Sequence, residues 1–337
     1  MMTSSPARND SAALRDGPER PLPGIHHVTA IASDPQRNLD FYGGLLGLRL
    51  VKKTVNFDAP DAYHLYYGDR QGQPGSILTF FPWPGARRGR AGAGQTVATA
   101  FSVPENSLGF WRQRLSDSGV RASDSERFGE AALRFEDPDG MRLELIAGAG
   151  VGGSGDPWPA VPAEYAIRGF DAATLEVRHL EPTAAVLDLL GFRLLEQDQE
   201  RRRYAASGKS GAGARLDVLT APSGSPRALQ GAGTVHHVAL RVTDEDSQHR
   251  WREHLEKAGL HPTEVKDRNY FRSIYFREPG GVLFELATDP PGFTVDEPME
   301  TLGEALKLPA WLEASRSRLE HSLPPLGPPD RASLTEE

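Results

Sequence analysis

The stretch HHVTAIASDPQRNLDFYGGLLGL, residues 26–48, decides the fold, because it returns as HHVALRVTDEDSQHRWREHLEKAGL over residues 236–260. Each copy begins with a short apolar run, which is typical of a buried strand. An Asp-containing turn and an amphipathic stretch with aromatic residues follow in both copies. Gly47 and Gly259 then stand where a helix C-cap glycine is expected. The repeat therefore predicts a strand followed by a helix at both places.

Two weaker copies of this unit lie between the strong ones. They are TAFSVPENSLGFWRQRLSDSGV, residues 99–120, and AATLEVRHLEPTAAVLDLLGF, residues 172–192. The four units therefore start near residues 26, 97, 171 and 236. A repeat of this length indicates that the chain contains several copies of one supersecondary unit.

Each unit also has a recognisable end. Three units close with a glycine turn and an apolar strand, at residues 74–81, 138–147 and 279–287, and the third unit closes less clearly around residues 214–221. Short strand-like segments fill the space between the helix and the closing strand. Each unit reads β-α-β-β-β, and the sequence predicts an α+β protein of four βαβββ modules.

The segments outside the repeats set the domain limits. Residues 1–22 are polar and interrupted by Pro and Gly, which predicts a disordered N-terminal tail. A Gly/Pro-rich stretch over residues 148–162 indicates a linker between two modules in 23–147 and two modules in 163–293. Residues 294–337 are expected to form a C-terminal helical arm and tail, with the helix broken at Pro309.

The composition removes several classes of function. The 337 residues include no cysteine, which excludes disulfides, Cys-ligated zinc, iron–sulfur clusters and thiol catalysis. The formal charge of −8 does not favour nucleic-acid binding. No run of 18 apolar residues predicts a membrane span, and the first twenty residues lack the apolar region of a secretory signal. We expect a cytoplasmic protein whose metal ligands, if it has any, are His, Asp or Glu.

The paired histidines of the two strong copies are candidates for metal ligands. Residues two apart on a strand face the same side, so His27 shares a face with Thr29. His237 occupies the matching position in unit four, whereas His26 and His236 should point the other way unless the strand is bulged. One histidine of each pair can therefore face a cavity inside a curled sheet.

A carboxylate completes this set. The fourth residue after the turn glycine of the closing strand is Thr79 in unit one, Glu144 in unit two and Glu285 in unit four. Glu285 lies in the apolar run VLFELA, where a carboxylate is costly unless it is paired or binds a metal. Two imidazoles and one carboxylate form the facial triad of non-heme Fe(II) oxygenases. His27, His237 and Glu285 are the predicted metal ligands.

The middle units should pair around a related cavity that holds no metal. Their opening strands contain no histidine, and Glu144 with Asp171 is too small a ligand set for tight iron binding. We expect Glu144 to meet a cation or a hydroxyl, or to reach solvent. The sequence thus predicts one metal per chain. His64, in a predicted strand, is assigned to the core or to a pocket wall.

These features resemble the vicinal oxygen chelate superfamily, which comprises glyoxalases, bleomycin resistance proteins and dioxygenases. Within it the chain is similar to the ring-cleaving dioxygenases of hydroquinones and catechols. The resemblance covers residues 22–327 and depends chiefly on GIHHVTAI (24–31), TVHHVAL (234–240), DRNYFRSIYFREPGGVLFE (267–285) and LGEALKLPAWLE (302–313). It implies two curled mixed β-sheet barrels with flanking helices, and it makes 23–147 and 163–293 glyoxalase-like domains.

The same resemblance implies a chemistry for the site. It implies extradiol-type cleavage of a small aromatic substrate by O₂, with Fe(II), or alternatively Mn(II), at the predicted triad. It also implies that five residues beside the metal take part in catalysis, namely His26, Thr29, His236, Arg268 and Tyr275. A phenol and a guanidinium are suited to binding an oxygen anion. A homo-oligomer is a further expectation, because small β-rich modules often pair through exposed edges.

Two other functions remain open at this stage. A glyoxalase-type lyase of the same superfamily would use the same site with a fourth protein ligand, a carboxylate from each closing strand. Unit one has Thr79 there instead, which favours the dioxygenase. A metal-free protein that sequesters a small molecule is the second alternative, and it would have little need for His27, His237 and Glu285 together.

Overall fold

A computed structural model describes residues 18, 21–148, 158, 160–198, 200–206 and 213–335 of the chain. Most of the predicted disordered tail, residues 1–22, and most of the predicted linker, residues 148–162, lie outside the described residues. In the described part of the chain, no helix combines the length and the apolar composition that crossing a membrane requires.

The four predicted modules are present, each with an opening strand, a helix and three further strands. Module one consists of β1 (Ile25–Ala32), α1 (Pro35–Leu39), β2 (Arg49–Asn56), β3 (Ala59–Gly68) and β4 (Ile77–Pro82). Module two consists of β5 (Gln95–Val103), α2 (Leu108–Asp117), β6 (Ser123–Arg127), β7 (Glu130–Glu136) and β8 (Arg142–Ala147). The order predicted for the first two units is therefore confirmed.

The second pair of modules repeats this order. Module three consists of β9 (Phe170–Val177), α3 (Leu180–Leu189), β10 (Phe192–Asp198), β11 (Arg201–Ala206) and β12 (Arg215–Thr220). Module four consists of β13 (Thr234–Val242), α4 (Glu245–Lys257), β14 (Lys266–Asp267), β15 (Phe271–Arg277) and β16 (Leu283–Pro291). The third unit closes with β12, where the sequence signal was weakest.

The sixteen strands form two curled mixed sheets of eight. One sheet has the order β14-β15-β16-β13-β1-β4-β3-β2 and unites modules four and one, and we call it the first half-barrel. The other has the order β10-β11-β12-β9-β5-β8-β7-β6 and unites modules three and two, and we call it the second half-barrel. Each centre is an antiparallel pair of opening strands, β1 with β13 and β5 with β9. The division into segments 23–147 and 163–293 stays a prediction, and each sheet takes one module from either segment.

The central strand pairs are bulged at equivalent places. The β1–β13 ladder shifts register at His26 and at His236, and the β5–β9 ladder shifts at Val97 and at Asp171. A bulge places an additional residue in one strand and turns its side chain out of the normal alternation. Simple alternation therefore fails at these four positions, and two of them belong to the histidine pairs.

Helices α1 and α4 each begin at an aspartate N-cap. The Asp34 side chain accepts from the Arg37 N–H at the start of α1, and the Asp244 side chain caps α4 in the same way. Residues Asp40–Leu45 continue α1 as a π-helical turn. Gly47 and Gly259 have φ angles of 72° and 76°, so both predicted C-cap glycines adopt the left-handed region that favours glycine.

The C-terminal arm is less helical than the sequence indicated. Its helical parts are 3₁₀ turns at Phe293–Val295, Met299–Thr301, Ala310–Ser315 and Ala332–Thr335, and the short α5 at Arg316–Ser322. Before Pro309 the chain follows the edge of β2 instead, where the Lys307 N–H donates to the Lys53 carbonyl at 2.9 Å. Gly303 is essential to this approach, because a Cβ there would lie 1.9 Å from the Leu50 carbonyl oxygen. The arm thus covers an edge strand that would otherwise be exposed.

Candidate metal centre and its cavity

Three buried side chains meet in the first half-barrel. His27 on β1, His237 on β13 and Glu285 on β16 are 2%, 5% and 0% exposed. Their Nε2, Nε2 and Oε2 atoms are separated by 3.3 Å between the histidines, 3.4 Å from His27 to Glu285 and 2.8 Å from His237 to Glu285. In the described part of the chain this is the one group of three such residues close enough to share a metal ion. The structure therefore brings the predicted ligands together.

The three ligand atoms fit one divalent ion. At bond lengths of about 2.1 Å and right angles, neighbouring ligands of a metal lie roughly 3 Å apart. The observed separations of 2.8–3.4 Å match this spacing. Glu285 is fully buried, and the polar atoms that approach its Oε2 are the Nε2 atoms of the two histidines. A buried carboxylate oxygen is costly unless a cation or a proton joins it.

Neighbouring side chains hold the ligands in place. His26 Nδ1 lies 2.9 Å from His27 Nδ1, and His236 Nδ1 lies 2.8 Å from His237 Nδ1. Each bulge histidine therefore leaves the Nε2 of the following ring to face Glu285. The Ser273 hydroxyl donates to Glu285 Oε1 at 2.5 Å, which fixes the carboxylate. Such contacts behind metal ligands fix their orientation and tautomer.

Burial sets the protonation of these groups. Burial lowers the pKa of His26 and of His237, and burial together with the neighbouring His237 lowers the pKa of His236 to about 3. Burial alone would raise the pKa of Glu285, but the adjacent imidazoles hold it well below its usual range. The lowered pKa of His237 favours its neutral imidazole and the lowered pKa of Glu285 favours its carboxylate, and these are the forms that bind metals.

A cavity of about 470 Å³ opens beside the three ligands. Its apolar walls come from both modules and include Ile31, Phe57, Phe81, Trp83 and Phe271. Cavities of this size with a few polar groups are typical of small-molecule sites. The Phe271 ring lies 5.0 Å from the His27 ring, so one wall of the cavity is packed directly on a ligand.

Arg268 and Tyr275 form the polar side of this cavity. Arg268 Nε donates to the Tyr275 oxygen at 3.1 Å, and its Nη2 donates to Asp58 Oδ2 at 2.8 Å. Burial raises the pKa of Tyr275, with Glu285 adding to the effect, so the phenol keeps its hydrogen at neutral pH. Because the Tyr275 oxygen already accepts from Arg268, its hydrogen is left for another acceptor.

The opposite side of the cavity holds a network that sequence reasoning identified only in part. Thr29 Oγ1 lies 2.8 Å from Thr79 Oγ1, and Thr79 Oγ1 lies 2.9 Å from His64 Nε2. His64 Nδ1 in turn lies 2.8 Å from the Tyr66 hydroxyl. His64 lines the cavity, and a pocket wall was one of the two places predicted for it. Thr79 occupies the strand position at which a fourth ligand would stand.

Not every predicted catalytic residue reaches the cavity. Thr29, His236, Arg268 and Tyr275 line it, whereas His26 is buried behind His27 and against Phe271, at 5.2 Å between ring centroids. Ser273 and Tyr66 were missed. Both could have been found from alternation, because Ser273 lies two residues before Tyr275 and Tyr66 lies two residues after His64 on their strands.

The second half-barrel carries the predicted Glu144 contact. Glu144 Oε1 pairs with Arg127 Nη2 and with Arg134 Nε, the latter at 3.1 Å. The expectation that Glu144 meets a cation is therefore confirmed. Asp171, the other carboxylate named there, lies 3.4 Å from Arg215.

The sequence matches the Glyoxalase/Bleomycin resistance protein/Dioxygenase superfamily over residues 24–145 and 184–286. Bacillus subtilis (strain 168) MhqO, whose name describes it as a ring-cleaving dioxygenase, is 46% identical over 305 residues, which cover 90% of this chain and 96% of that protein. The chlorohydroquinone/hydroquinone 1,2-dioxygenase of Sphingobium indicum is 39% identical over 311 residues, with coverage of 90% and 96%.

A solved structure agrees with these matches. The crystal structure of a Bacillus subtilis protein described as a dioxygenase superposes with a TM-score of 0.88 at 44% identity, covering 92% of this chain and 99% of that one. The family match includes both opening strands that carry the histidine pairs. From the repeat, the sheet order and these matches together, we conclude that the chain belongs to the glyoxalase/bleomycin resistance protein/dioxygenase superfamily.

Proposed function

We propose that the protein is a ring-cleaving dioxygenase that uses O₂ to open a hydroquinone- or catechol-type aromatic ring in an extradiol manner. The observation that carries the proposal is the set of three ligands, His27, His237 and Glu285, at the end of an aromatic-lined cavity. A divalent metal held there, Fe(II) or alternatively Mn(II), would supply the redox and Lewis-acid chemistry that O₂ and the substrate require. The relative from Sphingobium indicum supports this substrate class by its name.

The cavity walls would hold and shield the ring. Phe81, Trp83 and Phe271 offer aromatic faces and edges against which a planar substrate can pack. A cavity of about 470 Å³ is large enough for one substituted aromatic ring. The same walls keep bulk water from the reacting atoms, which strengthens every polar contact inside the cavity.

The polar groups of the cavity would manage charge and protons. His236 lines the cavity with a neutral ring, and a ring nitrogen that carries no hydrogen can accept a hydrogen bond from a substrate hydroxyl and so orient it. The Tyr275 hydroxyl can donate to an oxygen that gains negative charge, and Arg268 beside it stabilises that charge. The position of all three groups on the cavity wall supports these roles.

The lyase alternative is disfavoured because the strand position of its fourth ligand carries no carboxylate. The place of a fourth carboxylate on β4 belongs to Thr79, whose hydroxyl is engaged with Thr29 and His64. The metal-free alternative is disfavoured by the convergence of His27, His237 and Glu285, whose ligand atoms lie within 4.8 Å of one another in a buried position. The cytoplasmic location and a homo-oligomeric state stay predictions.

The decisive test is O₂ consumption by protein loaded with Fe(II) under anaerobic conditions, across a panel of hydroquinones and catechols. We expect stoichiometric O₂ uptake with at least one of these diphenols and an absorbance change from the ring-opened product. Bound iron without O₂ uptake on any diphenol, together with isomerisation of a glutathione hemithioacetal, would favour the lyase. Protein that binds no metal would favour the sequestering function.

A further inference from the structure

The second half-barrel contains its own cavity, of about 680 Å³. It lies at the place that corresponds to the metal cavity of the first half-barrel. Ala98 lines it one residue after the bulge at Val97, just as His27 follows the bulge at His26. Glu144 lines it from β8 and is paired in register with Ala100, as Glu285 is with Ala239 in the first half-barrel.

Among the described residues, the ligand histidines of the first half-barrel have no counterpart in this second cavity. Alanines, Ala98 and Ala172, stand where the two ligand histidines stand in the first half-barrel. The two carboxylates of its closing strands, Glu144 and Asp217, are both engaged by arginines. Carboxylates that are paired with guanidinium groups are poor ligands for a divalent ion. The short alanine side chains leave room that imidazole rings would fill.

Both cavities have an arginine at the same position of the module. Arg268 precedes Tyr275 by seven residues at the turn into β15, and Arg127 precedes Arg134 by seven residues at the turn into β7. Tyr275 pairs in register with Glu285, and Arg134 pairs in register with Glu144. Arg127 therefore occupies the place of Arg268. Its side chain is 5% exposed and lines the cavity, and its Nε has no hydrogen-bond partner among the described residues.

The charge of the cavity wall is positive. Its arginines are Arg37, Arg121, Arg127, Arg134, Arg142 and Arg201. Three carboxyl residues, Glu136, Asp137 and Glu144, line the cavity with them, and Asp217 pairs with Arg127 at 3.6 Å and with Arg201 at 3.0 Å. This excess of guanidinium groups stands out in a chain whose formal charge is −8. Guanidinium groups present paired N–H donors that match the two oxygens of a carboxylate.

The same cavity has an apolar lining. Ala98 and Leu219 contribute to its wall on the face that carries Arg134 and Glu144, whereas Phe135 and Leu143 alternate with those two residues and face the core. A ligand must therefore combine a negative head with an apolar body. The buried Glu144 would repel a dianion more strongly than a monoanion, which favours a carboxylate over a phosphate ester.

We propose that the cavity of the second half-barrel binds a small organic carboxylate with an apolar body, of about the size of a substituted benzoate. The carboxylate lies against Arg127 and Arg134, and the body lies over Ala98 and Leu219. This site is separate from the metal centre and independent of the function proposed for it.

Calorimetric titration of the full-length protein with benzoate, benzamide and phenyl phosphate tests the proposal. We expect one saturable benzoate site per chain, no binding of neutral benzamide, and weaker binding of phenyl phosphate. Arg134→Gln should weaken benzoate about tenfold to 100-fold, since it removes a charge-assisted contact. Arg134 is 50% exposed on its side chain, and Arg127 keeps Glu144 paired, so the fold should tolerate the change. Ala98→Leu, which fills the cavity without altering charge, should abolish binding.

His237→Ala serves as the matched control, because it alters the metal centre and leaves the second cavity intact. Benzoate affinity should be the same in this variant as in the unaltered protein. Loss of benzoate binding in His237→Ala would assign the ligand to the metal cavity and overturn the proposal. Absence of saturable benzoate binding would also overturn it, as would an affinity unchanged by both Arg134→Gln and Ala98→Leu. Tighter binding of phenyl phosphate than of benzoate would contradict the carboxylate class.

Discussion

In the first half-barrel the two bulge residues are His26 and His236, and each is followed by a histidine that faces Glu285. In the second half-barrel the same bulges hold Val97 and Asp171, and alanine follows each of them. Strand order, register and bulge position are common to both sheets. The comparison teaches that the backbone provides two equivalent cavities, and that a few side chains decide which of them can hold a metal.

Burial favours the uncharged form of the side chain at equivalent bulge positions of both sheets. Burial raises the pKa of Asp171 to about 6, although Arg215 opposes the rise, and burial lowers the pKa of His236 to about 3. Both shifts favour the neutral form of the side chain. The bulge positions of both sheets therefore disfavour a charged side chain.

The buried carboxylates of the two sheets differ in the groups that surround them. Glu144 is paired with Arg127 and Arg134, whereas Glu285 has only imidazoles and the Ser273 hydroxyl beside it. A buried carboxylate needs a cation, and the two half-barrels meet that need in different ways. This difference can be tested by exchanging one residue at a time.

The largest expected effect is on metal binding. Glu285→Gln removes the charged ligand and should lower the affinity for Fe(II) by more than about 100-fold, because even residues behind a ligand contribute 10-fold to 100-fold. The matched Glu144→Gln variant should keep its full metal content. Iron per chain, measured by mass spectrometry after anaerobic loading and desalting, distinguishes them. Equal iron in both variants would show that Glu285 and Glu144 do not differ in metal binding.

The next effect is on stability. Arg127→Met leaves Glu144 with one half-exposed arginine partner and should cost about 3–5 kcal/mol of unfolding free energy in urea titrations. The double variant Arg127→Met/Glu144→Leu should recover most of that loss, since it removes the unpaired charge. Glu285→Gln in metal-free protein should cost less than about 1 kcal/mol, because no arginine pairs with Glu285. If the double variant is no more stable than Arg127→Met, then the pairing of Glu144 is not what stabilises this sheet.

A smaller effect is expected on turnover. Tyr275→Phe removes one hydroxyl from the metal cavity and should lower kcat about 100-fold while the iron content is unchanged. Tyr63→Phe is the matched control, because the Tyr63 hydroxyl donates to the Pro324 carbonyl, away from the cavity. Steady-state O₂ consumption with the best diphenol measures both. A kcat for Tyr275→Phe equal to that of the unaltered protein would remove Tyr275 from the proposed chemistry.

Much of this arrangement could be predicted from the sequence. The repeated histidine pair and the count from the turn glycine were sufficient to identify His27, His237 and Glu285. The pairing of modules one with four and of two with three followed from the same repeat. These features depend on local periodicity, which a single sequence displays.

Other features depend on contacts between distant segments. The bulges arise from the pairing of β1 with β13, so the contact of His26 with His27 could not be read from either strand alone. Asp217 was missed because the third unit has no clear glycine turn before its closing strand. The arm before Pro309 lies along β2 through a Lys307–Lys53 backbone hydrogen bond, which helix propensity does not predict.

The first half-barrel is expected to hold the one metal ion of each chain. An anomalous-difference map from crystals of Fe(II)-loaded protein, collected at the iron edge, locates every bound ion. We predict one peak per chain, between the Nε2 atoms of His27 and His237 and the Oε2 atom of Glu285. A peak beside Glu144 and Asp217, or the absence of a peak at the three predicted ligands, would contradict the account.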